Sequence, residues 1–190
     1  FEKFGIVPLL MGSFFVTLGA LLVAVPIGVA CAVYLAEIAP KWMREILKPT
    51  VEVLAGIPSV VIGFIGLAVA GPFIQSVLNL PTGLTALTGS IMLALMSMPT
   101  IISISEDAII AVPKAYRDGS LALGASKLET ITGVILPAAR SGILAACMLG
   151  VGRAVGETMT VLMVTGNATN IPNGLAGVVP FFLGPVRTMT

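Results

Sequence analysis

The chain has 190 residues, 57% of them hydrophobic and 10% charged, with a formal net charge of +1 and a mean hydropathy of +1.08. A soluble domain carries about 25% charged residues, and a chain this apolar would expose large sticky patches to water; the composition excludes a soluble globular protein and specifies an integral membrane protein. The near-zero charge offers no basic field for nucleic acid, and the absence of histidine removes the commonest metal ligand and general base.

Phe1 opens the chain without an initiator methionine and without a cleavable signal pattern, so it reads as a piece excised from a longer protein. After a short polar lead-in with Glu2 and Lys3, residues 8–36 run without a charge. A helix needs about 20 residues to span the hydrocarbon, so this is the first predicted span; Pro26 inside it is tolerable where neighbouring helices satisfy the freed carbonyl. Residues 37–52 carry Glu37, Lys41, Arg44, Glu45, Lys48 and Glu52 together with Trp42. They predict a short amphipathic connector, with the indole suited to the headgroup level.

Residues 53–105 contain no Asp, Glu, Lys or Arg, a run too long for one span. The turn signal Asn79-Leu80-Pro81-Thr82-Gly83 divides it, predicting spans over 53–78 and 84–105. Pro58 suits a first helical turn, and Gly63, Gly66 and Gly71 keep one side thin enough for close helix approach. Ser90, Ser97, Ser103 and Ser105 are expected to bond back to their own helix rather than line a pore. Residues 106–140 form the second charged connector, and 141–164 the fourth predicted span, unusual in holding Arg153 and Glu157. Residues 166–190, rich in Asn, Pro and Gly, read as an outer loop with Phe181 and Phe182 dipping into the interface. Cys31 and Cys147 lie far apart in apolar runs and read as packing residues, not as a disulfide or metal site.

Lys and Arg counts set the orientation. The first connector holds three cations (Lys41, Arg44, Lys48) and the second four (Lys114, Arg117, Lys127, Arg140), against Lys3 and Arg187 on the other side. Both connectors are therefore expected in the cytoplasm, and both chain ends outside.

Two constellations stand out. In the loop 113–137, residues 117–123 and 127–136 each read as helical, with Gly124 between them as a left-handed cap. Leu128, Ile131 and Ile135 recur as one apolar face, and Pro137 marks a turn back to the membrane. Periodicity leaves two readings open: an interfacial helix pair lying on its own bundle, or a knob that docks into a groove on a soluble partner. The second constellation is Gly152-Arg153-Ala154-Val155-Gly156-Glu157. A charge at mid-span costs about 2.5–3.5 kcal/mol on insertion scales. Glu157, four residues on, falls on the same helix face about 6 Å further along. Either the two neutralise each other, or Arg153 offers its planar fork to an oxyanion while Glu157 holds it. Gly152 and Gly156 make a G-x3-G step that predicts a tight helix contact.

The spacing Asp118-x5-Gly124-x9-Val134-x-Leu136-Pro137 resembles the E-A-A-x3-G-x9-I-x-L-P loop of ABC-transporter permeases, with Asp118-Gly119-Ser120 standing for Glu-Ala-Ala and Val134 for Ile. That resemblance implies an all-α, polytopic, type I (MetI-like) helical bundle in which the loop docks an ATPase subunit through Asp118, Gly119, Gly124, Leu136 and Pro137. GRAVGETM followed by VTGN resembles the signature of the PstC family, phosphate-importer permease subunits, and differs from the GETAP of the sister PstA family. YLAEIAP, GIPSVVIGFIGL, SMPTIISISEDAI, VPKAYRDGSLALGAS and PVRTMT agree, so the resemblance covers nearly the whole chain. It implies that Arg153 and Glu157 serve the phosphate path. It also implies one further span on each side of the chain and a place in the prokaryotic cell membrane. The implied partners are a second, PstA-like permease, two ATPase subunits and an external phosphate-binding protein.

Gly119-x4-Gly124 has the glycine spacing of a P-loop, but Ala125-Ser126 replaces its Lys-Ser/Thr. The chain is therefore expected to bind no cofactor and to leave ATP hydrolysis to partner subunits; no catalytic or metal-binding residue is expected. The competing readings are a permease for another oxyanion or small solute, a gradient-driven secondary transporter or channel, and a membrane-embedded enzyme using Glu157 and a serine.

Overall fold

A computed structural model describes residues 6–166 and 178–188, and these are helical throughout apart from turns and a single isolated parallel bridge, Gly166 to Val186. Helix α1 (Ile6–Val33) runs into a π-helical turn, Tyr34–Ile38; α2 is Lys41–Ala55. A helix over 59–78 is built from α3 (Ser59–Ile65), a π turn (Gly66–Ala70) and α4 (Gly71–Leu78). Then come α5 (Ala86–Ile110), α6 (Lys114–Ala122), and α7 (Lys127–Thr130), which passes through a π turn (Ile131–Ile135) into α8 (Leu136–Gly156). The last are α9 (Met159–Val164) and α10 (Val178–Leu183). Among the described residues, four helical stretches are long and apolar enough to cross a membrane: Leu9–Ile38, Ser59–Leu78, Ala86–Ile110 and Lys127–Gly156. Buried positions make up 61% of the apolar window of α5 but only 22–28% in the other three. That is why α5 carries the buried hydroxyls: Ser90 Oγ donates to Val16 O and Ala86 O, and Ser97 Oγ to Leu93 O, its own preceding turn.

Several boundaries differ from the sequence reading. Residues 53–55 belong to the amphipathic helix α2, and the next helix starts only at Ser59, after Pro58 as its N-cap. The ring fixes φ of Pro58, at −58°, and ψ 136° keeps the residue outside the helix that follows. Pro137 does not turn the chain: it lies in the first turn of α8, and the helix is continuous from Lys127 to Gly156. The preceding π turn supplies the reason, since Leu136 N–H bonds back five residues to Ile131 O. That widened turn absorbs the register change where Pro137 has no N–H to give. The fourth predicted span, 141–164, is not one helix; it stops at Gly156 and resumes at Met159.

The chain forms two compact units. The first comprises Phe1–Ala24, Ile57–Ser97 and Val151–Thr190. In it α3 lies against α9 along a glycine face: a Cβ on Gly63 would sit 3.1 Å from Thr160 Cα, and one on Gly66 2.8 Å from Val164 Cγ2. Close approach there requires the missing side chain. Phe181 of α10 is buried, its ring 5.3 Å from that of Phe15, and Val186 N–H bonds Thr165 O at 2.7 Å. The described end of the predicted outer loop is thus packed structure; residues 167–177 lie outside the described residues. The second unit comprises Val25–Gly56 and Met98–Gly150, with a core of Ala32, Ile109, Val112, Ile131, Ile135 and Ala139.

Candidate functional site

The loop predicted to meet a partner is built as a helix, a glycine turn and a second helix. α6 buries none of its residues, and Asp118 and Gly119 are exposed on it. Its end is a Schellman closure: Gly124 N–H bonds Leu121 O at 3.0 Å and Ala125 N–H bonds Ser120 O at 3.2 Å. Gly124 takes φ +86°, the left-handed region that its lack of a Cβ makes cheap, and no atom lies within 4 Å of where a Cβ would be. α7 begins with a capping box, in which Glu129 N–H bonds Ser126 Oγ and Ser126 N–H bonds Glu129 Oε2. Ser120 and Thr130 join the two helices by a hydroxyl pair at 3.0 Å.

The apolar face expected on the second helix is only partly used inward. Ile131 and Ile135 are buried in the core of the second unit, whereas Leu128 is 71% exposed. Leu136 is half-buried against the same core, and Pro137 is exposed. The interfacial reading therefore describes the second helix of the loop. That helix lies on its own unit, while α6 buries no residue and the Gly124 turn has open space around it.

Charge pairing surrounds the base of this loop, and the sequence reading missed it. Arg117 of α6 reaches Glu37 Oε1 through Nε (2.9 Å) and NH2 (2.6 Å), and donates to Val112 O (2.7 Å) and Ile109 O (2.9 Å). Glu106, its side chain 1% exposed, accepts from Arg44 Nε at 2.9 Å and faces Lys48 Nζ at 3.5 Å; Lys48 also meets Asp107 at 2.7 Å. The hydrogen bond to Asp107 raises the Lys48 ammonium above its ordinary value against the opposing effect of burial, with the Glu106 charge adding to the rise. The available signal was the shared order of signs in the two connectors, acid before base in each: Glu37 then Arg44 and Lys48, and Glu106 and Asp107 then Arg117, so that the acids of each can meet the bases of the other.

The second constellation lies in the first unit. Arg153 is half-buried in the last turn of α8, where a cation complements the negative end of the helix dipole. Glu157 is not on that helix: it occupies the break before α9, and the expected i, i+4 helical pair is not formed as such. Gly156 and the β-branched Thr158 are weak helix formers. α9 is held elsewhere, through Thr160 Oγ1 donating to Ser59 O at 2.9 Å. Glu157 is half-buried at an apolar cavity of about 370 Å³ lined also by Leu10, Phe14, Leu21, Ala154 and Val161. Gly152 and Gly156 are exposed, and nothing lies within 4 Å of a Cβ built on either. The helix contact expected at the G-x3-G step is not made among the described residues. No cluster of metal-ligating side chains occurs among them.

Together these features define an all-helical, multi-pass membrane protein with an exposed helix–turn–helix loop and a helix broken next to an arginine. The chain belongs to the family described as "Binding-protein-dependent transport system inner membrane component", which it matches over residues 24–178. It is 48% identical over 170 residues to the "Probable ABC transporter permease protein YqgH" of Bacillus subtilis, covering 90% of this chain and 55% of the relative. It is 35% identical over 193 residues to the "Phosphate transport system permease protein PstC" of Mesorhizobium japonicum, covering 92% and 59%. It is 38% identical over 182 residues to PstC 1 of Mycobacterium tuberculosis, covering 86% and 54%. The chain thus spans a little over half the length of these relatives.

Proposed function

We propose that this chain is the core of the membrane-spanning permease subunit of an ATP-driven phosphate importer. One observation carries the reading: the chain aligns over 92% of its length with proteins named as phosphate transport system permeases. The GRAVGETM and VTGN segments support it. The connectors face the cytoplasm of a prokaryotic cell, and the loop 113–137 docks one of two ATPase subunits through Asp118, Gly119, Gly124, Leu136 and Pro137. A second, PstA-like permease completes the path, and an external binding protein delivers phosphate. The chain binds no cofactor and performs no hydrolysis itself; ATP is used by its partners. Closure of the ATPases moves the loop and switches the bundle between outward- and inward-facing states. Arg153 offers a planar, permanently charged fork to the anion, and Glu157, on the backbone break beyond it, positions that arginine.

A permease for another oxyanion is the reading the name of the Bacillus subtilis relative leaves open, because it states no solute. The test is uptake by the complete complex in vesicles, with phosphate and sulfate as alternative solutes. Arg153→Ala and Glu157→Ala are expected to abolish phosphate uptake while the subunits still co-purify. Normal uptake in both variants would overturn their roles. Sulfate-stimulated uptake without phosphate uptake would overturn the substrate, and uptake without any ATPase would overturn the class.

A further inference from the structure

The first connector has no role in the reading above, yet in the second unit it is bonded to the loop. Arg117 is the only α6 side chain that the described contacts tie to the end of α1, and it does so with two of its nitrogens on one Glu37 oxygen. The pair is largely withdrawn from water, the side chains being 21% and 10% exposed, so it is not the solvated kind of ion pair that contributes almost nothing. The same guanidinium takes the carbonyl of Ile109 in the last turn of α5 and that of Val112 just beyond the helix. α6 buries no residue of its own, so apolar packing gives it little hold on the unit. Glu37 sits in the π turn Tyr34–Ile38, a widened turn of a kind frequent at working sites.

We propose that Glu37 and Arg117 form a strut through which displacement of α6 reaches the end of α1, making both positioning residues for transport. The inference rests on the reading that the loop docks an ATPase. A displaced α6 must either draw Glu37 with it or break charge-assisted bonds at one guanidinium, which are stronger than neutral ones. Lysine cannot replace this arrangement, because a point charge on a flexible stem cannot hold a carboxylate and two carbonyls in one plane. The buried Glu106, gripped by Arg44 and Lys48, fixes α2 to α5 nearby in the same unit, so the first connector as a whole follows the end of α5.

The test uses the whole permease with its partner subunits in proteoliposomes, with solute imported per ATP hydrolysed as the readout. The amount of ATPase retained on purification serves as the control. Glu37→Gln keeps shape and removes the charge; Arg117→Lys keeps the charge and removes the fork. Each is expected to retain the ATPase and its hydrolysis while import per ATP falls several-fold, and the double variant is expected to be no worse than the worse single, since one contact is being removed twice. An unchanged ratio in both singles overturns the strut. So does a fall in import and hydrolysis in equal proportion with lost complex, which is what a merely structural pair would give. If the unaltered permease retains no ATPase, the proposed function falls and the strut with it. If it imports normally and Glu37→Gln does too, the strut alone falls.

Discussion

Substituting Gly124 separates docking from folding, because the two make opposite predictions for a pair of variants. Gly124 has φ +86° and no atom within 4 Å of a prospective Cβ, so within the chain the whole cost of a side chain is backbone strain. For alanine that is about 1–2 kcal/mol, or roughly fivefold to thirtyfold in the population of the ordered turn. Asparagine visits the left-handed region more readily, so the free permease is expected to tolerate Gly124→Asn better than Gly124→Ala. A packed cleft on an ATPase reverses that order. The larger side chain must then be accommodated at a surface built for none, and overpacking costs about 1–3 kcal/mol. The assay is affinity of the purified ATPase for reconstituted permease, beside thermal unfolding of the permease alone. Gly124→Ala is expected to unfold first and Gly124→Asn to bind the ATPase more weakly. Binding that follows the unfolding order, with alanine the worse of the two, would refute docking at this turn; so would affinities equal to the unaltered protein.

Removing both cations from Glu106 by Arg44→Ala with Lys48→Ala strands a carboxylate that is 1% exposed. An uncompensated buried charge costs about 3–5 kcal/mol, so the double variant is expected to unfold at markedly lower temperature in detergent, and adding Glu106→Gln to restore much of the loss. A double variant as stable as the parent would show that the carboxylate is not held by these two groups. Ser126→Ala deletes the hydroxyl that accepts from Glu129 N–H and is expected to cost about 1 kcal/mol locally. Amide exchange over residues 127–130 should then rise about fivefold, with exchange in α5 unchanged; uniform acceleration across both helices would contradict a local cap.

What the sequence disclosed and what it hid divide along a physical line. The spans over α1, 59–78 and α5 were legible because a charge-free run of that length has few alternatives in a bilayer. Gly124 was legible because a left-handed cap is a local requirement. The pairing of Glu37 with Arg117 spans 80 residues in sequence, and that of Arg44 with Glu106 spans 62; periodicity carries no information at that range. Leu128 is exposed where Ile131 and Ile135 turn inward, because the core of the second unit reaches no further along this helix than Ile131, a limit that spacing alone does not mark.

The break at Glu157 is the most instructive miss. Counting four residues from Arg153 assumes that the helix continues, and the local sequence gives only weak grounds against it: one glycine and one β-branched residue. The helix ends because α9 is held from outside its own turn, by the Thr160 to Ser59 hydrogen bond and by the glycine face of α3. The consequence reaches the chemistry. An arginine and a glutamate one turn apart on a continuous helix could be explained as mutual neutralisation. Arg153 at a helix C-terminus and Glu157 on the non-helical backbone beyond it are placed by two different backbone settings, so an argument from one continuous helix does not apply to them. Irregular backbone within an apolar bundle is tolerated where it is buried in protein or borders a cavity, and Glu157 borders one. The break therefore takes Glu157 off the helix face that residue counting assigned it and sets it at that cavity.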